Sequence, residues 1–135
     1  MIKGYATPEG TEAFKRRFEG KLHDSHFREF KGLFFSSLGI GSYLGDPDDA
    51  TDLLYERALK AAVASGVNVI DAAINYRCQR SERSFGRALA ELISSGVVNR
   101  EEVIVCTKGG FLPFDSAYPD DPLGYFRETS LNPGL

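Results

Sequence analysis

Apolar and polar residues follow one another along the chain in a pattern that predicts short strands separated by amphipathic helices. Residues 67–70 form an apolar run that ends in Asp71, and residues 102–107 form a run rich in β-branched side chains that ends before Lys108. Between these runs, after a predicted helix cap at Ser81, apolar side chains recur at helical spacings of three and four. They belong to Phe85, Ala88, Leu89, Leu92 and Ile93. Strand, helix and strand in this order predict a βαβ unit in a parallel sheet.

A second helix is predicted over residues 47–65, in front of the first strand of this unit. Asp46 is a suitable cap, and Pro47 suits the first helical position. The side predicted to pack on the sheet carries mostly small residues at helical spacing: Leu54, Ala58, Ala61, Ala62 and Ser65. Gly66 and Gly96 each follow a predicted helix at the position where a left-handed residue commonly ends it.

Three shorter elements are predicted in the first 41 residues. Residues 12–21 predict a short helix with a thin apolar stripe. Residues 27–35 predict a β-hairpin in which Gly32 supplies a turn position with positive φ. A further sheet strand is predicted over residues 36–41.

The pattern ends after Gly110. Residues 111–135 hold four of the six prolines and five aromatic side chains. They are compatible with a long loop that carries aromatic walls for a substrate, or with a partly disordered tail, which is the preferred interpretation.

Composition limits the classes of function. The chain has 135 residues, 42% of them hydrophobic, which suffices for the core of one domain. A net charge of −3 gives no general attraction for nucleic acid or an acidic membrane. Because the chain has no run of 18 apolar residues and no signal-type amino terminus, we expect a cytoplasmic protein.

The residues that most often bind metals do not form a pattern here. Cys78 and Cys106 lack metal-ligand spacing and are too few for a disulfide scaffold, so we expect reduced thiols. His23 and His26 lie in a polar segment without a suitable pattern of cysteines or carboxylates. No metal site is predicted.

Asp71, Tyr76 and Lys108 are the residues with the clearest chemistry. The carboxyl ends of neighbouring parallel strands lie at one edge of a sheet, so these side chains are predicted to meet there. A phenol has a pKa of about 10, and a nearby ammonium lowers it by favouring the phenolate. A carboxylate can orient that ammonium. Tyr76 thus fits a general acid for carbonyl reduction, tuned by Lys108. The alternative is a structural Asp71–Lys108 ion pair with Tyr76 packed over the helix.

This arrangement resembles the aldo/keto reductase superfamily. The family pattern is roughly D-T-A-x-x-Y, then S-E-x-x-L/F-G-x-A-L, then T-K, and the resemblance runs over residues 37–108. It is carried by Leu38-Gly39-Ile40-Gly41, Asp71, Tyr76, Ser81-Glu82, Phe85-Gly86, Ala88-Leu89 and Thr107-Lys108.

The resemblance implies an α/β fold that forms the amino-terminal part of a (β/α)8 TIM barrel, with a hairpin and about three parallel strands. A complete barrel takes about 200 to 250 residues, so we expect the chain to be incomplete and its open sheet edge to permit self-association. The expected segments are an amino-terminal extension with a short helix (1–26), a barrel-bottom hairpin (27–35), three βα units (36–110) and a long loop or truncated tail (111–135).

The resemblance also implies an NAD(P)H-dependent oxidoreductase that interconverts small carbonyls and alcohols. Asp71, Tyr76 and Lys108 would be catalytic, and Gly41, Ser42 and Asp71 would bind NADPH or NADH. By itself, the 135-residue chain is expected to be inactive. The alternatives for the function are a non-catalytic subunit that senses the cofactor, an inactive barrel fragment, or a Schiff-base lyase that uses Lys108.

The chain departs from the family pattern at several positions. Ala72 replaces the usual threonine, and Arg77-Cys78-Gln79 replaces a turn that usually contains glycine. Arg77 and Arg80 could contact an anionic substrate, but solvated loop arginines are the preferred interpretation. The family's substrate-orienting histidine has no counterpart, because no histidine follows His26.

Overall fold

The computed structural model describes residues 2–132, which form a mixed α/β structure with five strands and four α-helices. The strands are β1 (Phe27–Phe30), β2 (Leu33–Ser36), β3 (Gly39–Gly41), β4 (Val69–Asp71) and β5 (Ile104–Cys106). The α-helices are α1 (Pro8–Arg16), α2 (Asp49–Ala64), α3 (Arg80–Ser94) and α4 (Pro122–Phe126). Short 3₁₀ turns occupy Asp24–His26 and Arg100–Glu102, and a π-helical turn occupies Arg127–Leu131.

Strands β1 and β2 form the predicted hairpin. They pair antiparallel, with Phe27 opposite Ser36 and Phe30 opposite Leu33. The two turn residues, Lys31 and Gly32, have φ angles of 51° and 82°. Both being positive fits a two-residue turn whose twist matches that of the strands.

Strands β3, β4 and β5 form the predicted parallel sheet, in sequence order. Ile40 pairs with Ile70, and Ile70 with Val105, so the middle residues of the three strands lie side by side. Helices α2 and α3 connect the strands and pack on each other. The main core combines one aromatic residue of α1 with apolar residues of α2 and of the segment from β4 to β5: Phe14, Leu59, Val63, Ile70, Ala72, Phe85, Ala88, Leu89, Leu92, Val98 and Val103.

All three strands of the parallel sheet are shorter than predicted. The strand predicted from residues 67–70 begins at Val69, because the Val67 amide donates to the Ala62 carbonyl at the end of α2. The strand predicted over residues 36–41 begins at Gly39, because Ser36 pairs with Phe27 in the hairpin. The strand predicted over residues 102–107 begins at Ile104, because Glu102 ends a 3₁₀ turn.

The cap and buried face predicted for α2 are wrong. Asp48 caps the helix, accepting a hydrogen bond from the Thr51 amide at 2.7 Å. The buried face contains Asp52, Leu59 and Val63, whereas Leu54 of the predicted face is 63% exposed. A carboxylate would ordinarily mark the solvent side of a helix.

Helix α3 keeps its predicted apolar face but not its predicted cap. Phe85 and Leu89 are buried, as are Ala88 and Leu92. Ser81 lies within the first turn and is buried; the residue at the cap position is Gln79, whose side chain makes no capping hydrogen bond.

The terminal segments also differ from the predictions. Helix α1 begins at Pro8 because the Thr7 hydroxyl caps it, accepting from the Gly10 amide at 3.0 Å. The segment after Gly110, for which no element was predicted, contains α4 and the π-helical turn. Residues 133–135 of the predicted tail lie outside the described residues.

Within residues 2–132, no helix is long and apolar enough to cross a membrane.

Candidate active site

The sheet brings Asp71 and Lys108 together, as predicted. Asp71 is the last residue of β4 and pairs with Cys106, two residues before Lys108. The Lys108 ammonium donates to both Asp71 carboxylate oxygens, at 2.7 and 2.8 Å, and to the Ala72 carbonyl at 3.1 Å. Asp71 and Lys108 are each nearly half exposed, so the pair is accessible to a ligand.

Tyr76 joins this pair from the turn after β4. The Lys108 Nζ atom lies 4.6 Å from the centroid of the Tyr76 ring, which is half-buried. The three predicted catalytic side chains therefore form one cluster at the carboxyl edge of the parallel sheet.

The surroundings of Lys108 favour its charged form. Its pKa is raised above the ordinary lysine value, first by the hydrogen bonds with Asp71 and next by the Tyr76 side chain. Lys108 is therefore a permanent positive charge beside Tyr76 at neutral pH.

The residues predicted to bind the cofactor differ in their surroundings. Gly41 ends β3, is exposed, and a Cβ atom added there would meet nothing within 4 Å. A Cβ atom at Gly39 would lie 3.2 Å from Val69 Cγ1, so that glycine relieves crowding between strands. Open space beside Gly41, near the exposed carboxylate of Asp71, fits the close approach of a flat cofactor ring.

Ser42 is fully buried. Its hydroxyl donates to the Asp71 carbonyl at 3.2 Å and is hydrogen-bonded to the Ser81 hydroxyl. The structure thus ties the end of β3 to the end of β4 and the first turn of α3. A contact between Ser42 and the cofactor stays a prediction.

Two features of the site were missed in the sequence. The Tyr43 ring packs edge-on against Tyr76, with centroids 5.0 Å apart, and Tyr43 is 66% exposed. A single aromatic residue after a strand gives no sequence signal that it will pack against Tyr76. Glu82 accepts a hydrogen bond from the Thr107 hydroxyl, next to Lys108. Their positions in the S-E and T-K motifs were a signal, although the motifs do not reveal the contact.

A model of the aldo/keto reductase family matches residues 37–127. The chain belongs to the aldo/keto reductase family. Searches of curated proteins and of solved structures gave no match. The match contains Asp71, Tyr76 and Lys108, and it extends beyond the sequence resemblance into α4.

The turn after Tyr76 has an unusual backbone. Arg77, Cys78 and Gln79 have φ angles of 48°, 53° and 67°. Left-handed conformations cost non-glycine residues roughly 1–2 kcal/mol each. The absence of the usual glycine from this turn therefore makes its conformation depend on contacts elsewhere.

The interpretation of Arg77 as a solvated loop residue is wrong. Its side chain is 1% exposed and its Nη1 lies 2.7 Å from Asp52 Oδ1. Arg80 also pairs with Asp52, at 3.1 Å, and with Asp49. Both guanidinium groups thus have carboxylate partners in α2, which the sequence pattern could not reveal because the helix face was wrongly predicted.

The segment after β5 is attached to the same turn. The Ser116 amide donates to the Cys78 carbonyl at 2.8 Å, and Gln79 Nε2 donates to the Phe114 carbonyl at 3.1 Å. Phe114 also stacks on Phe126 at 5.0 Å between ring centroids. Phe114 and the aromatic residues that pack on it therefore lie beside the turn that follows Tyr76, which is compatible with the predicted substrate wall.

Cys78 and His26, which were considered as reactive or metal-binding residues, make contacts that support the fold. Cys78 is buried, and burial raises the pKa of its thiol, which disfavours the reactive thiolate. The His26 ring contacts the Gly66 carbonyl and the Ser37 hydroxyl, both at 3.0 Å. Across residues 2–132, no group of three or more His, Cys, Asp or Glu could hold a metal ion.

Proposed function

We propose that the protein interconverts carbonyls and alcohols with NADPH or NADH, using Tyr76 as the proton donor. The supporting observation is the position of Lys108, whose ammonium contacts both oxygens of Asp71 and lies 4.6 Å from the Tyr76 ring centroid. Membership of an oxidoreductase family gives this arrangement its chemical context.

The proposed roles follow from the charge that develops during carbonyl reduction. NADPH or NADH, when bound, would supply the hydride that adds to the carbonyl carbon, and the oxidised cofactor would take a hydride back in alcohol oxidation. The Tyr76 hydroxyl donates its proton to the carbonyl oxygen, where negative charge accumulates. The tyrosinate left behind is stabilised by Lys108, and Asp71 holds Lys108 in place. In alcohol oxidation, the Tyr76 phenolate accepts the hydroxyl proton.

The proposed cofactor position is the open space beside Gly41 and Asp71. The absence of a side chain at Gly41 lets a flat ring approach the end of β3. The Asp71 carboxylate lies on the neighbouring strand, in register with Gly41. These contacts do not distinguish NADPH from NADH.

The proposed fold places this site at the top of a barrel. Strands β3 to β5 would be the first three strands of an eight-stranded barrel, and the β1–β2 hairpin would cover its amino-terminal end. The supporting observations are the parallel order of the strands and the family match. In such barrels, active sites lie at the carboxyl ends of the strands, where the three catalytic candidates are found.

The test compares Tyr76→Phe with Tyr5→Phe in a full-length version of the protein. The first removes the proton donor, and the second removes a hydroxyl from a side chain that is 75% exposed outside the cluster. With a broad panel of aldehydes, ketones and alcohols, we expect kcat to fall by about 10²–10⁴-fold in Tyr76→Phe alone. Unchanged carbonyl reduction in that variant would reject the assigned role.

Cofactor binding and borohydride trapping separate the alternatives. Cofactor binding without turnover over the whole panel would support a cofactor-sensing subunit. Schiff-base chemistry needs Lys108 as a neutral amine, but Asp71 raises its pKa. Borohydride trapping that adds substrate mass at Lys108 would support the lyase alternative, and we expect none.

A further inference from the structure

Arg77, the residue after Tyr76, is the first of three residues in a left-handed conformation that residues with side chains rarely adopt. Arg77, Cys78 and Gln79 are all left-handed, with φ between 48° and 67°. Glycine adopts such angles freely, but this turn has none. The surrounding structure must therefore determine the conformation of the turn.

The Arg77 side chain connects this turn to three separate elements. Its guanidinium donates to Asp52 Oδ1 at 2.7 Å, to Ser84 Oγ at 3.0 Å and to the Ser42 carbonyl at 3.4 Å. It also lies 4.5 Å from the centroid of the Tyr55 ring. These partners belong to α2, α3 and the segment after β3, so the hydrogen bonds fix the position of the Arg77 guanidinium relative to these three parts of the fold.

Asp52 has two further arginine partners, which makes Arg77 separable from the rest of the cluster. Arg80 and Arg87 lie 3.1 and 3.3 Å from Asp52 Oδ2. Replacing Arg77 therefore leaves the buried Asp52 carboxylate with cationic partners, which limits the destabilisation that an unpaired buried charge would cause. Of the three arginines, Arg77 is the one that directly follows Tyr76.

The far end of the turn is held by other groups. The Ser116 amide binds the Cys78 carbonyl, and Gln79 binds the Phe114 carbonyl. These contacts fix the residues that lead into α3, whereas Arg77 fixes the end that adjoins Tyr76.

We propose that Arg77 is a positioning residue whose buried guanidinium, paired with Asp52, holds the left-handed turn and thereby keeps the Tyr76 ring beside Lys108. The catalytic meaning of this role rests on the proposed function. The placement of the Tyr76 ring is independent of the proposed function, and it can be measured without turnover.

The test uses Arg77→Gly, Arg77→Lys and the matched control Arg87→Ala in the full chain. Glycine permits the left-handed backbone but removes the guanidinium, and lysine keeps a charge without the planar fork of donors. Arg87→Ala removes a different partner of Asp52. The ring signals of Tyr76 are followed by NMR on protein with ¹³C-labelled tyrosine and are assigned with Tyr76→Phe.

We expect both Arg77 variants to move the Tyr76 ring signals toward those of free tyrosine, whereas Arg87→Ala retains the wild-type signals. We also expect kcat to fall by about 10- to 100-fold in the Arg77 variants, because misplacing a reacting group by about 1 Å has an effect of this size. Cofactor affinity should stay within about twofold of wild type, because Arg77 has no exposed surface for the cofactor to contact.

Two results would overturn the proposal. One is a wild-type Tyr76 signal in Arg77→Gly; the other is an equal displacement in Arg87→Ala, which would indicate a general effect of the charge cluster. Circular dichroism checks that each variant folds, and Arg77→Lys decides the question if Arg77→Gly does not. Unchanged turnover in Tyr76→Phe would instead reject the proposed function, while the NMR signals would still report on Arg77.

Discussion

Lys108 donates hydrogen bonds to both carboxylate oxygens of Asp71, at 2.7 and 2.8 Å. The parallel register of β4 and β5 determines this contact, because Asp71 pairs with Cys106 and Lys108 follows two residues later. The pair raises the pKa of Lys108, so the ammonium persists to higher pH than in a free lysine. Any stability that this adds is complete below the unfolded-state pKa of about 10.4 and is lost as pH rises through the folded-state value.

Asp71→Asn is therefore expected to lower the pKa of Lys108, because the amide removes the main cause of the upward shift. If Lys108 must be charged for turnover, the alkaline limb of the pH–kcat profile should move to lower pH. A general acid itself contributes about 10²–10⁴-fold to the rate. At neutral pH, Asp71→Asn should lower kcat by less than this. Steady-state kinetics over a range of pH measures both effects.

Asp115→Asn is the control for this prediction. Asp115 pairs with Arg83 at 2.6 Å and is similarly exposed, but it lies outside the cluster of Asp71, Tyr76 and Lys108. Its replacement should leave the alkaline limb in place. An unchanged limb in Asp71→Asn would show that Lys108 ionisation does not control the reaction.

The corrected face of α2 predicts a large loss of stability at one of its leucines and almost none at another. Leu59 is fully buried, so Leu59→Ala should lower the free energy of unfolding by about 2–5 kcal/mol. Leu54 is 63% exposed, so Leu54→Ala should change it by less than about 0.5 kcal/mol. Urea denaturation followed by circular dichroism compares them, and the reverse order would support the face predicted from the sequence.

The α2 error has a specific physical cause. The helix itself was predictable from its spacing and its stop at Gly66, which has φ of 92°. Its orientation was not, because Asp52 is a charged residue on the buried face and is compensated by Arg77, 25 residues away. A pattern that assigns charged residues to the surface cannot anticipate a buried ion pair formed by two of them.

The cap of α2 gives a prediction that depends on pH. The Thr51 amide hydrogen bond lowers the pKa of Asp48. The stability from this cap should be present above the unfolded-state pKa of about 3.9 and be lost as pH falls through the folded-state value. Asp48→Ala should lower the melting temperature at pH 7 and reduce its loss on acidification. Asp46→Ala, at the cap that the sequence pattern predicts, should do neither. Equal effects of the two variants would contradict the assignment of Asp48 as the cap.

The candidate site was more predictable than the orientation of α2. Asp71 and Lys108 follow strands with a clear apolar pattern, and parallel strands place their carboxyl ends at one edge. The contacts of Tyr76 were only partly predictable, because the left-handed turn after it depends on side chains from α2 and α3. Tyr43 was missed because its contact with Tyr76 arises only when β3 and β4 are paired.

Two glycines of β3 provide a final test of where the cofactor lies. A methyl group at Gly41 meets nothing within 4 Å, so Gly41→Ala should fold with wild-type stability. If the cofactor ring occupies the space beside Gly41, the methyl group should weaken NADPH or NADH binding by about tenfold, an energy of about 1.4 kcal/mol that is typical of overpacking.

Gly39→Ala should show the opposite behaviour, with a lower melting temperature, because its methyl group would lie 3.2 Å from Val69 Cγ1. Fluorescence titration and thermal unfolding of the same two variants give both quantities. Unchanged cofactor affinity in Gly41→Ala would place the cofactor away from the end of β3 and leave Asp71 as its remaining predicted contact at this edge of the sheet.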